Sequence, residues 1–147
     1  MTVLYADTSA LVRAYLADEP DHDVLRPLLL ESHDVVVTSE IARVGFAGAV
    51  YRAARAGRVE RSEPFVDRFD LDCGAKGPIA LLRFERDAIL ALARRLVLAH
   101  PVGTLDAIHL AAALSEAAKS LPDSELVFIT RDDGQAAAAR SLGLEVR

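Results

Sequence analysis

Val3-Leu4-Tyr5-Ala6-Asp7-Thr8-Ser9-Ala10-Leu11-Val12 changes character at Asp7. The four apolar residues before it form a short run of the kind that makes a strand buried on both faces. The run stops at an acid and two hydroxyls. A helix pattern follows, with Ser9 placed to cap it through about Ala17. This strand, acid, helix junction recurs twice. Asp34 to Thr38, with three successive valines, runs into Thr38-Ser39-Glu40 and a helix pattern from about Glu40 to Ala56, closed by Gly57. Leu126 to Thr130 runs into Thr130-Arg131-Asp132-Asp133 and a short alanine-rich helix over Asp132 to Ser141.

The segments between these junctions keep the alternation. Pro20 with Asp21 opens a second helix, in which Pro27 is expected to form a kink or mark the true start. Ser62 to Asp72 reads as a helix broken by Gly74 and Gly77, and Ile79 to Phe84 as a short strand. Glu85 to His100 is amphipathic, with Ile89, Leu92, Ala93, Leu96 and Val97 on one stripe. Thr104 caps a helix over Leu105 to Ser120, and Leu144 to Val146 is a last strand. Strands alternating with helices predict an α/β domain around a mostly parallel sheet. No repeat, linker or low-complexity tract interrupts it, so residues 1–147 read as one domain.

Composition narrows the function classes. Hydrophobic residues make up 52% of the 147, enough for a sizeable core and too many for disorder. No apolar stretch has the length of a membrane span, and the N-terminus lacks the basic and apolar regions of a signal peptide. The lone Cys73 cannot form an internal disulfide and reads as a small, at least half-buried hydrophobe. A cytoplasmic location is the expectation. The net charge of −5 argues against a simple basic clamp for nucleic acid. It leaves a nuclease open, because a cluster of metal-holding carboxylates itself makes a chain acidic.

Ligands of open parallel sheets bind beyond the carboxyl ends of the strands. Asp7, Glu40 and Asp132 all stand there. Asp106, within Gly103-Thr104-Leu105-Asp106-Ala107-Ile108-His109-Leu110-Ala111, joins them from the first turn of an apolar helix. Any one of these acids reads equally well as a helix cap. Four at one end of a sheet point to something more. Neighbouring carboxylates repel unless a cation lies between them, and Mg²⁺ or Mn²⁺ takes oxygen ligands of this kind. The hydroxyls of Thr8, Ser9 and Thr130 could orient such ligands. A metal-activated water beside a charged phosphate suggests phosphodiester hydrolysis. His109, among Ile108, Leu110 and Ala111, reads as a packed core histidine rather than a general base.

Taken in order, the segments Leu4 to Arg13, Val37 to Val44, Thr104 to Ala111 and Phe128 to Asp132 resemble the PIN-domain family. The resemblance is to its VapC branch in particular, the toxins of type II toxin–antitoxin pairs. It implies a three-layer α/β/α domain and a Mg²⁺- or Mn²⁺-dependent endoribonuclease acting on RNA. It also implies a homodimer and a cognate VapB-like antitoxin that blocks the site. Carried over by position, Asp7 and Asp106 are the central metal ligands and Asp132 matches the fourth acid.

The second acid departs from the family pattern. The usual glutamate follows the serine of the second strand by six positions, and here Gly45 stands there. Glu40 is the nearest acid, but on a helix positions 40 and 45 point about 140° apart. Three readings stay open at this point. Gly45 removes a ligand, Glu40 substitutes in part from a non-helical geometry, or the other three acids suffice with added water. Since glycine in an exposed helix costs only about 1 kcal/mol relative to alanine, its presence at 45 is expected to do little structural damage, and Gly45→Glu is expected to raise RNA cleavage.

Other classes fit less well. A haloacid-dehalogenase-type phosphatase needs a second aspartate where Ser9 stands, and a receiver domain needs a late lysine that neither Lys76 nor Lys119 supplies. A catalytically degenerate domain that only binds an antitoxin or RNA is the remaining alternative. Arg43, Arg52, Arg55, Arg58 and Arg61 read as solvated surface or as contacts to RNA phosphates. Aromatics at 5% and the absence of tryptophan leave no platform for base stacking.

Overall fold

The computed structural model of the chain describes all residues from 1 to 147. In chain order the elements begin β1 (Thr2–Ala6), α1 (Thr8–Tyr15), α2 (His22–Arg26), a π turn (Pro27–Glu31), β2 (Val35–Ser39), α3 (Ile41–Arg55) and α4 (Glu63–Asp72). They continue β3 (Ile79–Leu82), α5 (Arg86–Ala99), α6 (Thr104–Ala112), a second π turn (Ala113–Ala117), α7 (Ala118–Ser120), β4 (Glu125–Ile129), α8 (Asp133–Ser141) and β5 (Glu145–Val146). The five strands form one sheet in the order β3-β2-β1-β4-β5, and every pairing is parallel.

β1 lies at the centre, and the alternation of its side chains divides the molecule. Leu4 and Ala6 face a core shared with Leu11, Leu25, Val36, Phe46 and Phe69, under α1 to α4. Val3 and Tyr5 face the opposite core, with Val37, Phe128, Ile89 and Leu110, under α5, α6 and α8. A sheet covered on both faces is the three-layer α/β/α architecture that the family resemblance implied. Aromatic pairs fasten each side. Tyr5 stacks on Phe128 with ring centres 5.3 Å apart, and Phe46 stacks on Phe69 at 4.3 Å. Each such pair is worth about 1 kcal/mol beyond the area it buries.

The order β3-β2-β1-β4-β5 makes the chain move outward from β1 in both directions. A crevice therefore opens between the carboxyl ends of β1 and β4, which is where doubly wound sheets take ligands. Asp7 directly follows β1, and Asp132 lies three residues past the end of β4.

Several boundaries differ from the sequence reading. Asp7, not Ser9, caps α1, because its carboxylate accepts the Ala10 N–H at 2.9 Å. Gly103 occupies the cap of α6 and Thr104 is already helical. The helix expected over Leu105 to Ser120 breaks into α6, a π turn and α7, and Ser115 Oγ donates to the Ala111 carbonyl at 2.7 Å within that turn. Such back-bonding competes with regular helix geometry. Val97 leaves the expected stripe of α5 and faces outward, while Ile89, Ala93 and Leu96 are buried. Pro27 starts the first π turn, and Gly57 adopts the left-handed φ of +74° that stops α3. Cys73 is free and half-buried, and burial pushes its thiol up to about 12, so it is protonated at neutral pH. No helix is long and apolar enough to cross a membrane.

Candidate active site

Asp7 is buried, and its carboxylate is tied down by three donors. Ser9 Oγ donates at 2.8 Å, the Ala10 amide at 2.9 Å and Thr130 Oγ1 at 2.8 Å. Ser9 also accepts the Arg131 N–H at 2.9 Å, which pins the start of α1 to the segment after β4. Of the three hydroxyls read as possible orienting groups, Ser9 and Thr130 thus reach an acid. Burial raises the Asp7 pKa to about 6, against the pull of its three donors and with the help of the Asp106 charge.

Asp106, half-buried in the first turn of α6, has its pKa raised by burial and then by the negative charge of Asp132. Asp132 is exposed and caps α8, accepting the Gln135 N–H at 2.7 Å. The three acids therefore form a chain of repulsions, Asp7 to Asp106 to Asp132. No basic side chain counts among the influences on Asp7 or Asp106. Arg131, between Thr130 and Asp132, is engaged elsewhere: its Nε lies 2.8 Å from Asp21 Oδ2.

Glu40, the fourth acid expected at the site, is not among the charges that act on Asp7 or Asp106. It has helical backbone geometry and no capping hydrogen bond, so the irregular cap geometry that would have let it substitute is absent. Its side chain is exposed and lines a groove with Arg43, Val44, Ala47, Gly48 and Tyr51, the outer stripe of α3. It also borders Phe84, just past the edge strand β3, away from the β1–β4 crevice.

Gly45 points the other way, into the molecule. A β-carbon there would lie 2.6 Å from Thr8 Oγ1 and 3.0 Å from both Thr8 Cγ2 and Leu105 Cδ2. Position 45 thus packs against the two residues next in sequence to Asp7 and Asp106. The space a side chain would need is already filled. The cost of glycine at 45 was reckoned for an exposed helix; the position is instead half-buried and closely packed.

Thr8 is held in place by His109. The fully buried imidazole sits 2.9 Å from Thr8 Oγ1 through Nε2 and 2.8 Å from the Tyr5 hydroxyl through Nδ1. Burial pushes its pKa down to about 3, so the ring is neutral and each nitrogen meets a hydroxyl that can donate or accept as required. His109 is the hydrogen-bonded core histidine the sequence suggested, and the Thr8 hydroxyl serves it rather than an acid.

The donor set suits a hard divalent cation: oxygens only, mutually repelling and without a protein counter-charge. The geometry is open, for no three acidic, histidine or cysteine side chains close around a single point. A cation here would rest on one or two carboxylates and complete its shell with water and substrate oxygens, the habit of Mg²⁺. On this count Asp7 and Asp106 fit the role of ligands, with Asp132 beyond them.

Sequence reasoning missed Gln135. Its fully buried carboxamide lies between the acid-bearing segments, with Nε2 donating to the Asp106 carbonyl at 3.2 Å and Oε1 3.0 Å from Thr130 Oγ1. A signal was present. A helix cap followed three residues later by Gln, as in Asp132-Asp133-Gly134-Gln135, has the spacing of a capping box. The basic residues of α3 and its exit are mostly spoken for: Arg43 pairs with Asp70, Arg58 with Asp18 and Glu19, and Arg61 with Glu63.

A family model for the PIN domain matches residues 4–141. Among solved structures, the chain is similar to VapC20 of Mycobacterium tuberculosis, described as a sarcin-ricin loop cleaving toxin. Identity is 15% over 92% of this chain and 94% of that one, with a TM-score of 0.63. It is similar to VapBC2 from Rickettsia felis, bound to a promoter DNA fragment, at 14% identity over 99% and 98% with a TM-score of 0.62. It is also similar to FitAcB from Neisseria gonorrhoeae, at 19% identity over 97% and 95% with a TM-score of 0.58. At these identities the likeness is one of fold. No curated protein matches the chain significantly.

Proposed function

The chain belongs to the PIN domain family, and on that premise we propose that it is a metal-dependent endoribonuclease, the toxin of a type II toxin–antitoxin pair. The observation that carries this reading is the run of repulsions from Asp7 to Asp106 to Asp132, three carboxylates on separate elements with no basic side chain acting on Asp7 or Asp106. Repulsion left in place at a sheet's ligand-binding end is what a cation site requires.

In this reading Asp7 and Asp106 hold Mg²⁺ or Mn²⁺, and Asp132 acts at the edge of the site. The cation supplies an activated water and offsets the charge that builds on the phosphate. The chain's own residues do the positioning. Ser9, Thr130 and the Ala10 amide aim the Asp7 carboxylate and favour its ionised form. The Asp106 side chain makes no hydrogen bond of its own within the protein and is free to turn toward a ligand. RNA is the substrate. The partner is a VapB-like antitoxin, the functional unit a homodimer and the compartment the cytoplasm; these rest on the family resemblance. VapC20, similar in fold, is described as a toxin that cleaves an RNA loop.

A second reading, a PIN domain that binds without cleaving, has one observation behind it: Gly45 and Thr8 close the space where the family's glutamate would stand. Incubating purified chain with total RNA in Mn²⁺ separates the two. The nuclease reading expects cleavage that EDTA stops and Asp106→Asn abolishes; RNA left intact by the unaltered chain supports the binding module.

A further inference from the structure

We infer that Gln135 is the positioning residue of the acid site, the one side chain that sets the Asp106, Asp132 and Asp7 segments in register with one another. This rests on the nuclease reading above.

The geometry is specific. Gln135 makes three contacts, each to a segment that carries an acid. Its backbone N–H donates to Asp132 Oδ1 at 2.7 Å, fixing the rotamer of that carboxylate. Its Nε2 donates to the main-chain carbonyl of Asp106 at 3.2 Å, fastening the first turn of α6 to α8. Its Oε1 lies 3.0 Å from Thr130 Oγ1, whose single proton is shared between Oε1 and Asp7 Oδ2 at 2.8 Å and whose oxygen accepts the Asp132 N–H at 3.1 Å. The orientation of the amide is forced, since only Nε2 can face a carbonyl. Oε1 must then turn to the threonine.

A cap alone does not require this. An aspartate at the cap of α8 is satisfied by the Gln135 backbone, whatever the side chain. The rest of the helix face is alanine, with Ala136, Ala138 and Ala139 buried beside it. Placing a long amide in that face is unfavourable unless all its polar atoms are paired, and no buried side-chain nitrogen or oxygen lacks a partner. An apolar residue would fill the space without linking α6 to β4. Asp106 has no side-chain hydrogen bond, so the backbone anchor at its own carbonyl is its tie to α8. Hydrogen bonds one shell removed from a metal commonly carry 10–100-fold in affinity (about 1.4–2.7 kcal/mol).

The test uses Gln135→Met, which keeps length and loses both side-chain bonds, and Gln135→Leu, which loses the same bonds in a shorter apolar side chain and adds no charge. Mn²⁺ affinity is read by titration calorimetry, with thermal melts of the metal-free proteins alongside. Crystal structures of the unaltered chain and the Met variant supply a readout independent of metal. The expected result is a 10–100-fold weaker Mn²⁺ affinity in both variants, folded melts, and a displaced α6 first turn with a changed Asp7–Asp106 separation. Unchanged Mn²⁺ affinity in either folded variant, or superimposable acids in the Met crystal, overturns the positioning role. If the unaltered chain itself binds no Mn²⁺, the nuclease reading fails, and the two crystal structures still decide whether Gln135 places the acids.

Discussion

Gly45 in α3 and Thr8 at the start of α1 are packed so closely that a β-carbon on residue 45 would come within 2.6 Å of the threonine hydroxyl. The two helices leave the carboxyl ends of the adjacent parallel strands β1 and β2 and meet there. The absence of a side chain is what lets them meet. Thr8 is itself held by His109 at 2.9 Å, so it cannot swing aside without breaking a buried hydrogen bond. The glycine is therefore a packing requirement of this particular chain, whatever its effect on catalysis.

This pairing predicts a reversal of sign. Gly45→Ala should destabilise the unaltered chain, because overpacking of about 1–3 kcal/mol outweighs the roughly 1 kcal/mol that helix propensity gains. In a Thr8→Ala background the same change should be neutral or stabilising. Urea denaturation of the four proteins in a double-mutant cycle reads the coupling directly. Additive effects would show that the two residues do not press on each other. By the same logic Gly45→Glu alone should lower the melting temperature.

Asp7 sets a pH dependence in the metal-free protein. Its pKa rises from 3.8 to about 6 on folding, chiefly through burial and also through Asp106. The folded state then holds a proton the unfolded state has lost. This contribution is fully present below about pH 4 and disappears as pH climbs to 6, a change of about 3 kcal/mol. The difference in unfolding free energy between the unaltered chain and Asp7→Asn should shrink across that window without metal. A difference that stays constant from pH 4 to 7 contradicts the placement of Asp7.

His109 works in the opposite sense. Its pKa falls from 6.5 to about 3 through burial, so the stability it contributes is complete above pH 6.5 and is lost as pH drops toward 3. His109→Leu should be less stable than the unaltered chain at pH 7, since Tyr5 and Thr8 each lose a partner. It should also lose less stability between pH 6.5 and 4. Thermal melts across that range measure both effects, and equal acid sensitivity in the two proteins would remove His109 as the cause.

Much of this was legible in the sequence, for identifiable reasons. The run Val3 to Ala6 announces a central strand because both faces of β1 are covered, and the acids after it are found by where parallel strands stop. Asp7 and Asp132 are picked out on that logic and Asp106 by its place in the first turn of α6, and the three are coupled through their charges. Glu40 was misplaced because proximity in sequence to Ser39 says nothing about which side of α3 it faces. The surroundings of Gly45 were invisible for a different reason: close contact with Thr8 and Leu105 is tertiary, and a lone glycine in a helix pattern looks the same exposed or packed. Gln135 escaped notice because its partners, the Asp106 carbonyl and Thr130, are brought to it by β4 and α6. The cap of α1 moved from Ser9 to Asp7 because the acid that faces the site also serves as the cap.

A nuclease site in this chain requires that these carboxylates hold a cation with position 45 bare. Calorimetric titration of Mn²⁺ into the metal-free chain at pH 7.5 or above tests this most directly, since Asp7 is then ionised. A saturable site that Asp7→Asn and Asp106→Asn each abolish, while Glu40→Gln leaves it intact, is the predicted result. No binding to the unaltered chain, or binding that survives both aspartate substitutions, would contradict it.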